Sequence, residues 1–209
     1  MSRYIAITDI HGEFYKLESL ISKIDFKPND TIVFMGDYID RGKYSKEVVD
    51  RVIELGKSYK CIYLIGSHEY AYLHSRKNEE YFKYLFWNYG GDATVESYGS
   101  YDNIYKIHRD FYENLKYYYL TDEYLFVHAG INPHYSLEEQ DKEDLVYIRW
   151  NFINSKHKLS QKIIFGHTDF DKPYVDEFKI GIDLGCGKYP NAKLCGLILD
   201  NGKEEFVYS

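Results

Sequence analysis

Short apolar segments alternate with amphipathic ones along the first third of the chain. Residues 4–8, 31–35 and 61–65 are rich in β-branched and aromatic side chains, which predicts buried β-strands. Between them, apolar residues recur at helical spacing in residues 17–24 and 48–55, which predicts two helices. Strands and helices therefore alternate in the order βαβαβ. In such units the loops at the carboxyl ends of parallel strands meet at one edge, where open α/β sheets bind ligands.

A polar stretch then interrupts this alternation. Residues 69–115 are polar and helical in pattern, with a break at Gly90-Gly91. The stretch comes directly after the third predicted strand. We therefore expect a helical, cap-like insertion at this point rather than a further βα unit.

The following part of the chain is again rich in predicted strands. Residues 117–120 and 124–127 flank a Thr-Asp-Glu sequence, which predicts a β-hairpin. Residues 162–165 predict another strand, which runs into Gly166-His167. These strands are expected to belong to a second sheet.

The C-terminal tail also shows strand patterns. We expect residues 179–183 to pair with residues 193–199, and Asn201-Gly202 to form a type I′ turn before a last strand at residues 204–208. Together these patterns predict an α/β fold in which two β-sheets form a sandwich with helices outside. The whole chain, residues 1–209, is expected to form a single domain.

Composition limits the class of protein. The 209 residues suffice for one α/β domain with a large core. The formal net charge of −7 argues against binding long nucleic acids, because such surfaces need clustered lysine and arginine. The chain shows no signal peptide and no apolar run of membrane-spanning length, so we expect a cytoplasmic protein without a membrane partner. Cys61, Cys186 and Cys195 lack a CxxC spacing, which predicts reduced structural thiols.

Five short polar clusters each follow an apolar run. They bring together three aspartates, four histidines and an arginine. Mixed carboxylate and imidazole ligands suit a pair of transition metals, and a neighbouring arginine suits an anion. This combination predicts a phosphoesterase. The clusters are Asp9-Ile10-His11, residues 36–42, residues 66–69, His128-Ala129-Gly130 and Gly166-His167.

In the same order, these clusters resemble the DxH, GDxxDRG, GNHE, HAG and GH motifs of the phosphoprotein phosphatase superfamily of metallophosphoesterases. The resemblance extends from Asp9 to about Gly187. It is closest to the compact bacterial and phage branch of serine/threonine phosphatases, because residues 87–98 resemble its W..NGG..T..SY stretch. Residues 148–152 and 182–185 similarly resemble its WIRDEF-like and IDTG segments. The resemblance implies a calcineurin-like sandwich of two sheets in four layers.

The resemblance also implies a set of metal ligands. Asp9 and His11 lie two residues apart, so in an extended segment both side chains point the same way and can bind one ion. Asp37 is implied as the bridge from this ion to a second one. His128 and His167 are implied as further ligands of the second ion, and a bridging carboxylate holds two metals close enough to activate one hydroxide between them.

The chain departs from the family pattern at two positions in the site. Ser67 occupies the position of the family's asparagine, which is a ligand of the second metal. Ile65 occupies a position at which the family often has an arginine. A serine hydroxyl is shorter than an amide, so it must move closer to the metal or act through a water. We expect the second metal to bind more weakly, by about 10–100-fold if the loss resembles that of a supporting group. Ile65 is expected to make the phosphate pocket less cationic.

The resemblance implies two further groups of residues, one that donates a proton to the leaving group and one that binds the phosphate. His68 and Asp40 are implied to meet, and a carboxylate bonded to an imidazole favours its protonated form, which makes His68 the candidate general acid. Arg41 and Arg149 are candidates for binding phosphate, because a guanidinium matches two phosphoryl oxygens. A salt bridge on a helix face is the alternative for Arg149. The amide of Asn88 is a further phosphate-binding candidate.

The predicted function is hydrolysis of phosphate monoesters with two divalent metals, manganese being the first choice and iron or zinc the alternatives. A hydroxide bridging the metals would attack phosphorus in line, without a covalent phosphoenzyme. Phosphoserine and phosphothreonine in proteins are the leading substrates. One alternative is a phosphoesterase acting on dinucleoside tetraphosphates or RNA ends. The other is a weakly active or inactive phosphate-binding protein, because of Ser67 and Ile65.

Overall fold

Ten strands form two β-sheets in the computed structural model, which describes residues 3–209. The strands are β1 (Tyr4–Ile7), β2 (Thr31–Phe34), β3 (Lys60–Tyr63), β4 (Tyr118–Leu120), β5 (Tyr124–Val127), β6 (Lys162–Phe165), β7 (Tyr174–Val175), β8 (Lys179–Gly181), β9 (Cys195–Asp200) and β10 (Lys203–Tyr208). The first sheet has the order β10-β9-β1-β2-β3 and the second has the order β4-β5-β6-β8-β7. Strands β1, β2 and β3 are parallel, and so are β5, β6 and β8.

Nine α-helices and one short 3-10 helix, at Leu137–Glu139, connect the strands of the described chain. Five of the α-helices, α3 to α7, follow one another between β3 and β4. The α-helices are α1 (Phe14–Ser22), α2 (Ser45–Leu55), α3 (Ser67–Ser75), α4 (Glu80–Asn88), α5 (Gly91–Tyr98), α6 (Tyr101–Ile107), α7 (Arg109–Glu113), α8 (Lys142–Tyr147) and α9 (Trp150–Ile153).

Alternate side chains of each central strand belong to different layers of the core. In β1, Ile5 and Ile7 pack with α1 and α2, whereas Ala6 packs toward the second sheet. In β5, Phe126 shares the inter-sheet cluster with Ala6, whereas Leu125 packs with α8 and α9 on the outer face. Successive side chains of a strand point to opposite faces, so apolar runs of this kind are buried on both sides. The result is the predicted four-layer calcineurin-like sandwich.

Most of the predicted elements are confirmed. Five helices, α3 to α7, occupy most of the predicted helical stretch of residues 69–115, and the break occurs at Gly90, which has a left-handed backbone between α4 and α5. Strands β4 and β5 form the predicted antiparallel hairpin. Asn201 and Gly202, with φ of 50° and 75°, form the two-residue turn between β9 and β10. Both φ values are positive, as a type I′ turn requires.

The predicted pairing in the C-terminal tail is wrong. Strand β8 pairs with β6 and β7 in the second sheet, whereas β9 pairs with β1 and β10 in the first. The reason lies in the side chains of β9, where Leu197 faces the second sheet and Ile198 faces the helices. A strand that is apolar on both faces suits a central position in the sheet. The C-terminal hairpin therefore extends the first sheet.

Two further features are the state of the cysteines and the length of the apolar helices. Cys61, Cys186 and Cys195 form no disulfide within the described part of the chain, as predicted. Among residues 3–209, no helix combines the length and the apolar character that crossing a membrane requires.

Candidate active site

The predicted metal ligands, Asp40, Arg41 and His68 lie in the segments that directly follow parallel strands of the two sheets. Because the carboxyl ends of parallel strands point to the same edge, these loops meet at one end of the sandwich. A cavity of about 620 Å³ opens at this end, and it is lined by Asp9, Asp37, Arg41, Ser67, His68 and His167 among others. The loop residues are Asp9 and His11 after β1, Asp37, Asp40 and Arg41 after β2, Ser67 and His68 after β3, His128 after β5 and His167 after β6.

Unusual backbone conformations are concentrated in the same loops. Within residues 3–209, eight non-glycine residues have a positive φ, and six of these are predicted site residues. Such a conformation costs roughly 1–3 kcal/mol per residue and persists only where the surrounding structure imposes it. The six are Asp9, His11, Asp37, Asp40, Arg41 and His167.

Backbone hydrogen bonds between the loops hold these conformations. The N–H of Asp9 donates to Gly36 O at 3.1 Å, and the N–H of His11 donates to Asp37 O at 2.9 Å. Across the two sheets, the N–H of His167 donates to the carboxylate of Asp9 at 3.1 Å. The loops therefore form one connected unit, in which a shift of one is transmitted to the others.

Asp37 lies at the centre of the site. Its Oδ2 is 3.4 Å from Nε2 of His128 and 3.6 Å from Nε2 of His11. Asp37, His128 and His167 form one set of closely spaced potential metal ligands, and Asp37, His11 and His68 form another. Because Asp37 belongs to both sets, its carboxylate has the position that a bridging ligand needs.

Asp9 lies beside the second of these sets. Its Oδ1 is 3.9 Å from Nε2 of His11, and its Oδ2 accepts a hydrogen bond from the Thr8 hydroxyl at 2.6 Å. The structure thus brings together Asp9, His11 and Asp37, which the resemblance implies for the first metal. It also brings His68 within range of that group, although the resemblance implies another role for His68.

Backbone carbonyl groups orient two of the imidazoles. Nδ1 of His11 donates to Ile39 O at 3.0 Å, and Nδ1 of His128 donates to Met35 O at 2.8 Å. A carbonyl oxygen only accepts, so both rings carry their proton on Nδ1. Nε2 of each ring therefore faces the carboxylates, and in the neutral ring its lone pair is available to a metal, the usual arrangement of a metal-binding histidine.

The residues of the site fit a pair of divalent metals. Nε2 of His128 and Nε2 of His167 are buried without a hydrogen-bond partner in the described part of the chain. A buried polar atom without a partner is destabilising, and a metal would satisfy both. Burial, together with Arg41, holds the pKa of His11 well below its ordinary value, and burial with His128 does the same for His167. Both rings are therefore neutral, the form that binds metals.

The charges around Asp37 also favour a cation. Burial tends to lower the pKa of His128, but the carboxylates of Asp37 and Asp9 outweigh it and raise the pKa to about 9. Burial opposes ionisation of Asp37 as well, yet His128 and His68 hold its pKa well below the ordinary value. The negative charge of Asp37 and Asp9 therefore attracts positive charge to this part of the site.

Ser67 is directed at the same carboxylate. Its hydroxyl donates to Asp37 at 3.1 Å from Oδ2 and 3.3 Å from Oδ1, and the N–H of His68 donates to Oδ1 at 2.9 Å. Ser67 also lines the cavity. In this structure the hydroxyl therefore orients the candidate bridging ligand, in addition to the role as a metal ligand that the sequence predicts.

Glu69 is a further residue of the site, and none of the sequence motifs predicts a role for it. Its fully buried carboxylate accepts four backbone hydrogen bonds, from the N–H groups of Asp37, Tyr38, Ile39 and Gly66, at 2.8, 2.9, 3.2 and 3.0 Å. Burial and the charge of Asp37 raise its pKa to about 7, but four donors on two oxygens favour the ionised carboxylate. Its position three residues after Gly66 has the spacing of a capping box, which is the signal that could have identified it.

Asp183 is a second residue without an assigned role. It follows β8, is buried and lines the cavity. Burial and the charge of Asp9 raise the pKa of Asp183 well above its ordinary value. The sequence placed it only in the segment that resembles IDTG, because its proximity to Asp9 depends on pairing within the second sheet.

The candidate general acid has the predicted partner. Nδ1 of His68 donates to Oδ2 of Asp40 at 2.7 Å, and both side chains are buried. Burial tends to lower the pKa of His68, but the charge of Asp37 and the hydrogen bond to Asp40 raise it above its ordinary value. On the opposite side of the ring, Nε2 lies 3.2 Å from Nη2 of Arg41. A guanidinium only donates, so this contact is a hydrogen bond in the neutral ring, whose Nε2 accepts from Arg41.

The three candidate phosphate-binding residues all line the cavity but differ in their contacts. The guanidinium of Arg149 donates to the carbonyl of His167 at 2.8 Å, rather than to a carboxylate on its helix. The amide of Asn88 donates to Tyr84 O at 2.8 Å in its own helix. In the family pattern, moreover, the asparagine directly precedes the two glycines. In this chain the residue directly before Gly90-Gly91 is Tyr89, not Asn88. Asn88 therefore stays a prediction without a contact that supports it.

Comparisons with known proteins agree with this geometry. Residues 2–203 match the sequence profile of the family described as Calcineurin-like phosphoesterase. An asymmetrical bis(5'-nucleosyl)-tetraphosphatase, PrpE, of Anoxybacillus flavithermus is 27% identical over 216 positions, which cover 88% of this chain and 85% of that protein.

Solved structures show the same fold. A candidate diadenosine tetraphosphatase superimposes with a TM-score of 0.74 at 20% identity, covering 100% of this chain and 94% of the other. A cold-active protein tyrosine phosphatase of a psychrophilic Shewanella species superimposes with a TM-score of 0.72 at 16% identity, covering 99% and 77% of the two chains.

Replacing Ser67 tests the weakened second metal. Ser67→Asn is expected to tighten binding of the second manganese ion by up to about 10–100-fold, because the amide oxygen reaches the ion directly. Calorimetric titration of metal-stripped protein measures the affinity. Any gain in activity should shrink toward saturating manganese, by mass action. Ser67→Ala, which removes the hydroxyl without adding a ligand, is the control. Superimposable titrations of Ser67→Asn and the unmodified protein would contradict the prediction.

Replacing Glu69 tests the junction between the loops. Glu69→Gln is expected to lower the free energy of unfolding by about 3 kcal/mol or more, because an amide nitrogen would face two N–H donors and hydrogen bonds to a charged group contribute roughly 1.5–3 kcal/mol each. Urea denaturation measures the change. The control is Glu79→Gln, at a more exposed carboxylate bonded to His74. A loss no larger than that of the control would refute the role of Glu69.

Proposed function

The chain belongs to the calcineurin-like phosphoesterase family, and from this premise we propose that it hydrolyses phosphate monoesters, in particular those of serine and threonine side chains. The observation that carries this proposal is the buried pair of His68 and Asp40, joined at 2.7 Å beside the candidate metal ligands. An alcohol leaves phosphorus as an alkoxide, which needs a proton in the transition state, and a positioned acid supplies it.

Binding and orientation of the phosphoryl group fall to the two arginines. Arg41 and Arg149 both line the cavity, and each guanidinium can donate two parallel hydrogen bonds to phosphoryl oxygens. Asp9, His11, Asp37, His128 and His167 would hold the two metals, with Ser67 beside them. When bound, the metal pair supplies an activated water as the nucleophile and neutralises charge on the phosphoryl group. We propose manganese, because mixed carboxylate and imidazole ligands suit it.

His68 would deliver the proton to the leaving group from Nε2. Nδ1 is committed to Asp40, whereas Nε2 lies beside Arg41, which is one of the phosphate-binding candidates. A phosphoryl group bound to Arg41 would therefore bring its leaving oxygen near Nε2. The carboxylate of Asp40 stabilises the protonated ring and fixes its orientation.

The size of the cavity favours dinucleoside tetraphosphates as a second candidate substrate. A volume of about 620 Å³ exceeds what one phosphate needs and lies in the usual range for small-molecule sites. Tyr81 and Tyr89, both more than half exposed, line it on the side of α4, one helix turn to either side of Leu85. Aromatic rings at such a site can stack on nucleobases. The relative PrpE carries a name that states this activity.

The leaving group distinguishes the two candidates. A nucleotide leaves as a phosphate anion, which needs no proton, so a dedicated acid contributes little to its departure. The buried His68–Asp40 pair is therefore of most use with an alcohol. Because both sets of potential metal ligands remain in place around Asp37, we propose an active enzyme rather than a phosphate-binding protein without turnover.

Metal-stripped protein reloaded with manganese is expected to hydrolyse a phosphoserine peptide with a higher kcat/KM than diadenosine tetraphosphate. His68→Ala is expected to lower kcat on the peptide by about 10²–10⁴-fold, the usual contribution of a general acid. The loss should be much smaller on p-nitrophenyl phosphate, whose leaving group needs no proton. Steady-state kinetics on the three substrates measure these changes.

Two controls accompany the His68 variant. His74→Ala, on the same helix, should leave all three activities unchanged. Elemental analysis should find the same metal content in His68→Ala as in the unmodified protein. Equal losses on the peptide and on p-nitrophenyl phosphate, or loss of a bound metal, would remove His68 from the role of acid.

The aromatic wall gives a separate prediction for the second candidate. Tyr81→Ala is expected to raise KM for diadenosine tetraphosphate by about 10-fold, because stacking of a base on an aromatic ring contributes roughly 1–3 kcal/mol. KM for p-nitrophenyl phosphate should not change. Tyr84→Ala is the control, because Tyr84 is exposed on the same helix but does not line the cavity. Equal effects of the two variants would argue against a base-binding role for Tyr81.

A further inference from the structure

Thr94 is bonded to the acid pair from the helical insertion. Its hydroxyl lies 2.6 Å from Oδ1 of Asp40, and the N–H of Asp40 donates back to Thr94 Oγ1 at 2.8 Å. The opposite oxygen of the carboxylate, Oδ2, is the one that meets His68. Asp40 is therefore held between Thr94 and His68, and Thr94 itself is fully buried.

The direction of each hydrogen bond follows from the groups present. Oδ1 of Asp40 accepts, so the single hydroxyl proton of Thr94 points to it. Ser45 Oγ lies 3.0 Å from Thr94 Oγ1, and it must therefore donate to Thr94, whose own proton is already used. The chain of donors runs from Ser45 through Thr94 to Asp40, and His68 donates to Asp40 from the other side. Each oxygen of the Asp40 carboxylate therefore has its own side-chain donor, Oδ1 from Thr94 and Oδ2 from His68.

Thr94 belongs to a longer contact between the insertion and the loop after β2. At the start of this contact, the N–H of Arg41 donates to Gly90 O at 3.1 Å. At its end, the N–H of Lys46 donates to the hydroxyl of Ser97 at 2.9 Å. Helix α5 and the preceding Gly90 thus contact residues 40–46 at three points, and only the one at Thr94 reaches the side chain of Asp40.

From this geometry we infer that Thr94 is a positioning residue for proton donation, acting through Asp40 on His68. Its hydroxyl fixes the carboxylate in the rotamer that meets Nδ1 of His68, so that Nε2 keeps the orientation needed to protonate the leaving group. The helical insertion thereby contributes to catalysis at the acid, and not merely as a cover over the cavity. This inference rests on the acid role of His68 given in the proposed function.

A merely structural role would require only a side chain of this size at position 94. Valine has nearly the same shape as threonine, so Thr94→Val keeps the packing and removes the hydroxyl. Serine keeps the hydroxyl and removes the methyl group. The two variants therefore separate the hydrogen bond to Asp40 from the packing of α5. Ser97→Ala is the matched control, because it removes the hydrogen bonds of the same helix to Lys46 and Glu47 of α2 without touching Asp40.

The experiment measures kcat and KM for manganese-loaded protein on p-nitrophenyl phosphate, phenyl phosphate and a phosphoserine peptide, whose leaving groups are progressively poorer. Thr94→Val is expected to lower kcat by about 10–100-fold on the peptide and by much less on p-nitrophenyl phosphate, the scale of a misplaced catalytic group. KM should not change. Thr94→Ser should restore most of the kcat, and Ser97→Ala should show no dependence on the leaving group.

The same substitution in a His68→Ala background completes the test. If Thr94 acts through the acid, Thr94→Val should have no further effect on kcat once His68 is absent. A loss that is equal on all three substrates, or that persists in the His68→Ala background, would overturn the inference. If Thr94→Val does not fold, Thr94→Ala allows the same comparison, because it places no methyl group against the carboxylate.

The two proposals fail in different ways. If His68→Ala itself shows no dependence on the leaving group, the acid role in the proposed function is wrong. If His68→Ala shows that dependence and the hydroxyl-free variants of Thr94 do not, only the inference about Thr94 is wrong.

Discussion

The carboxylate of Glu69 is the constraint on which the site depends. It accepts N–H groups from residues 37–39 and from Gly66, and so joins the loop after β2 to the start of α3. The two loops approach so closely that a Cβ on Gly36 would collide with the backbone of Gly66, and one on Gly66 would collide with Asp37. The close approach of the two loops therefore requires glycine at both positions, and the carboxylate of Glu69 satisfies the N–H groups that this approach brings together. With this junction fixed, Asp37 faces the imidazoles of both sheets.

The strained loops explain why so much of the fold serves one site. Six site residues adopt left-handed backbone at a cost of roughly 1–3 kcal/mol each, and the surrounding packing must offset it. The buried strands of both sheets provide this packing, and bonds such as that from His167 N–H to Asp9 join the loops across the sheets. The gain is rigidity, because groups that are already in place need no reorganisation when charge develops in the transition state.

Two helices of the insertion, α4 and α5, contact the site in different ways. Helix α4 borders the cavity with Tyr81 and Tyr89, where a substrate would extend beyond its phosphate. Helix α5 instead contacts the protein, through the hydroxyl of Thr94 and the carboxylate of Asp40. The insertion therefore combines a surface suited to substrate recognition with a contact that supports the candidate acid. We therefore expect substitutions in α4 to affect recognition of the substrate without disturbing the candidate acid.

The sequence by itself determined the fold class, most strands and helices, and the clusters from which the site is built, because these depend on local periodicity and on short motifs. It could not determine that β9 enters the first sheet, since a strand that is apolar on both faces fits several partners. Nor could it identify the contacts of Glu69 and Thr94, which join residues 32 and 54 positions apart and leave no periodic pattern. The tertiary structure decided these features, because hydrogen bonds between distant loops exist only once the two sheets have brought them together.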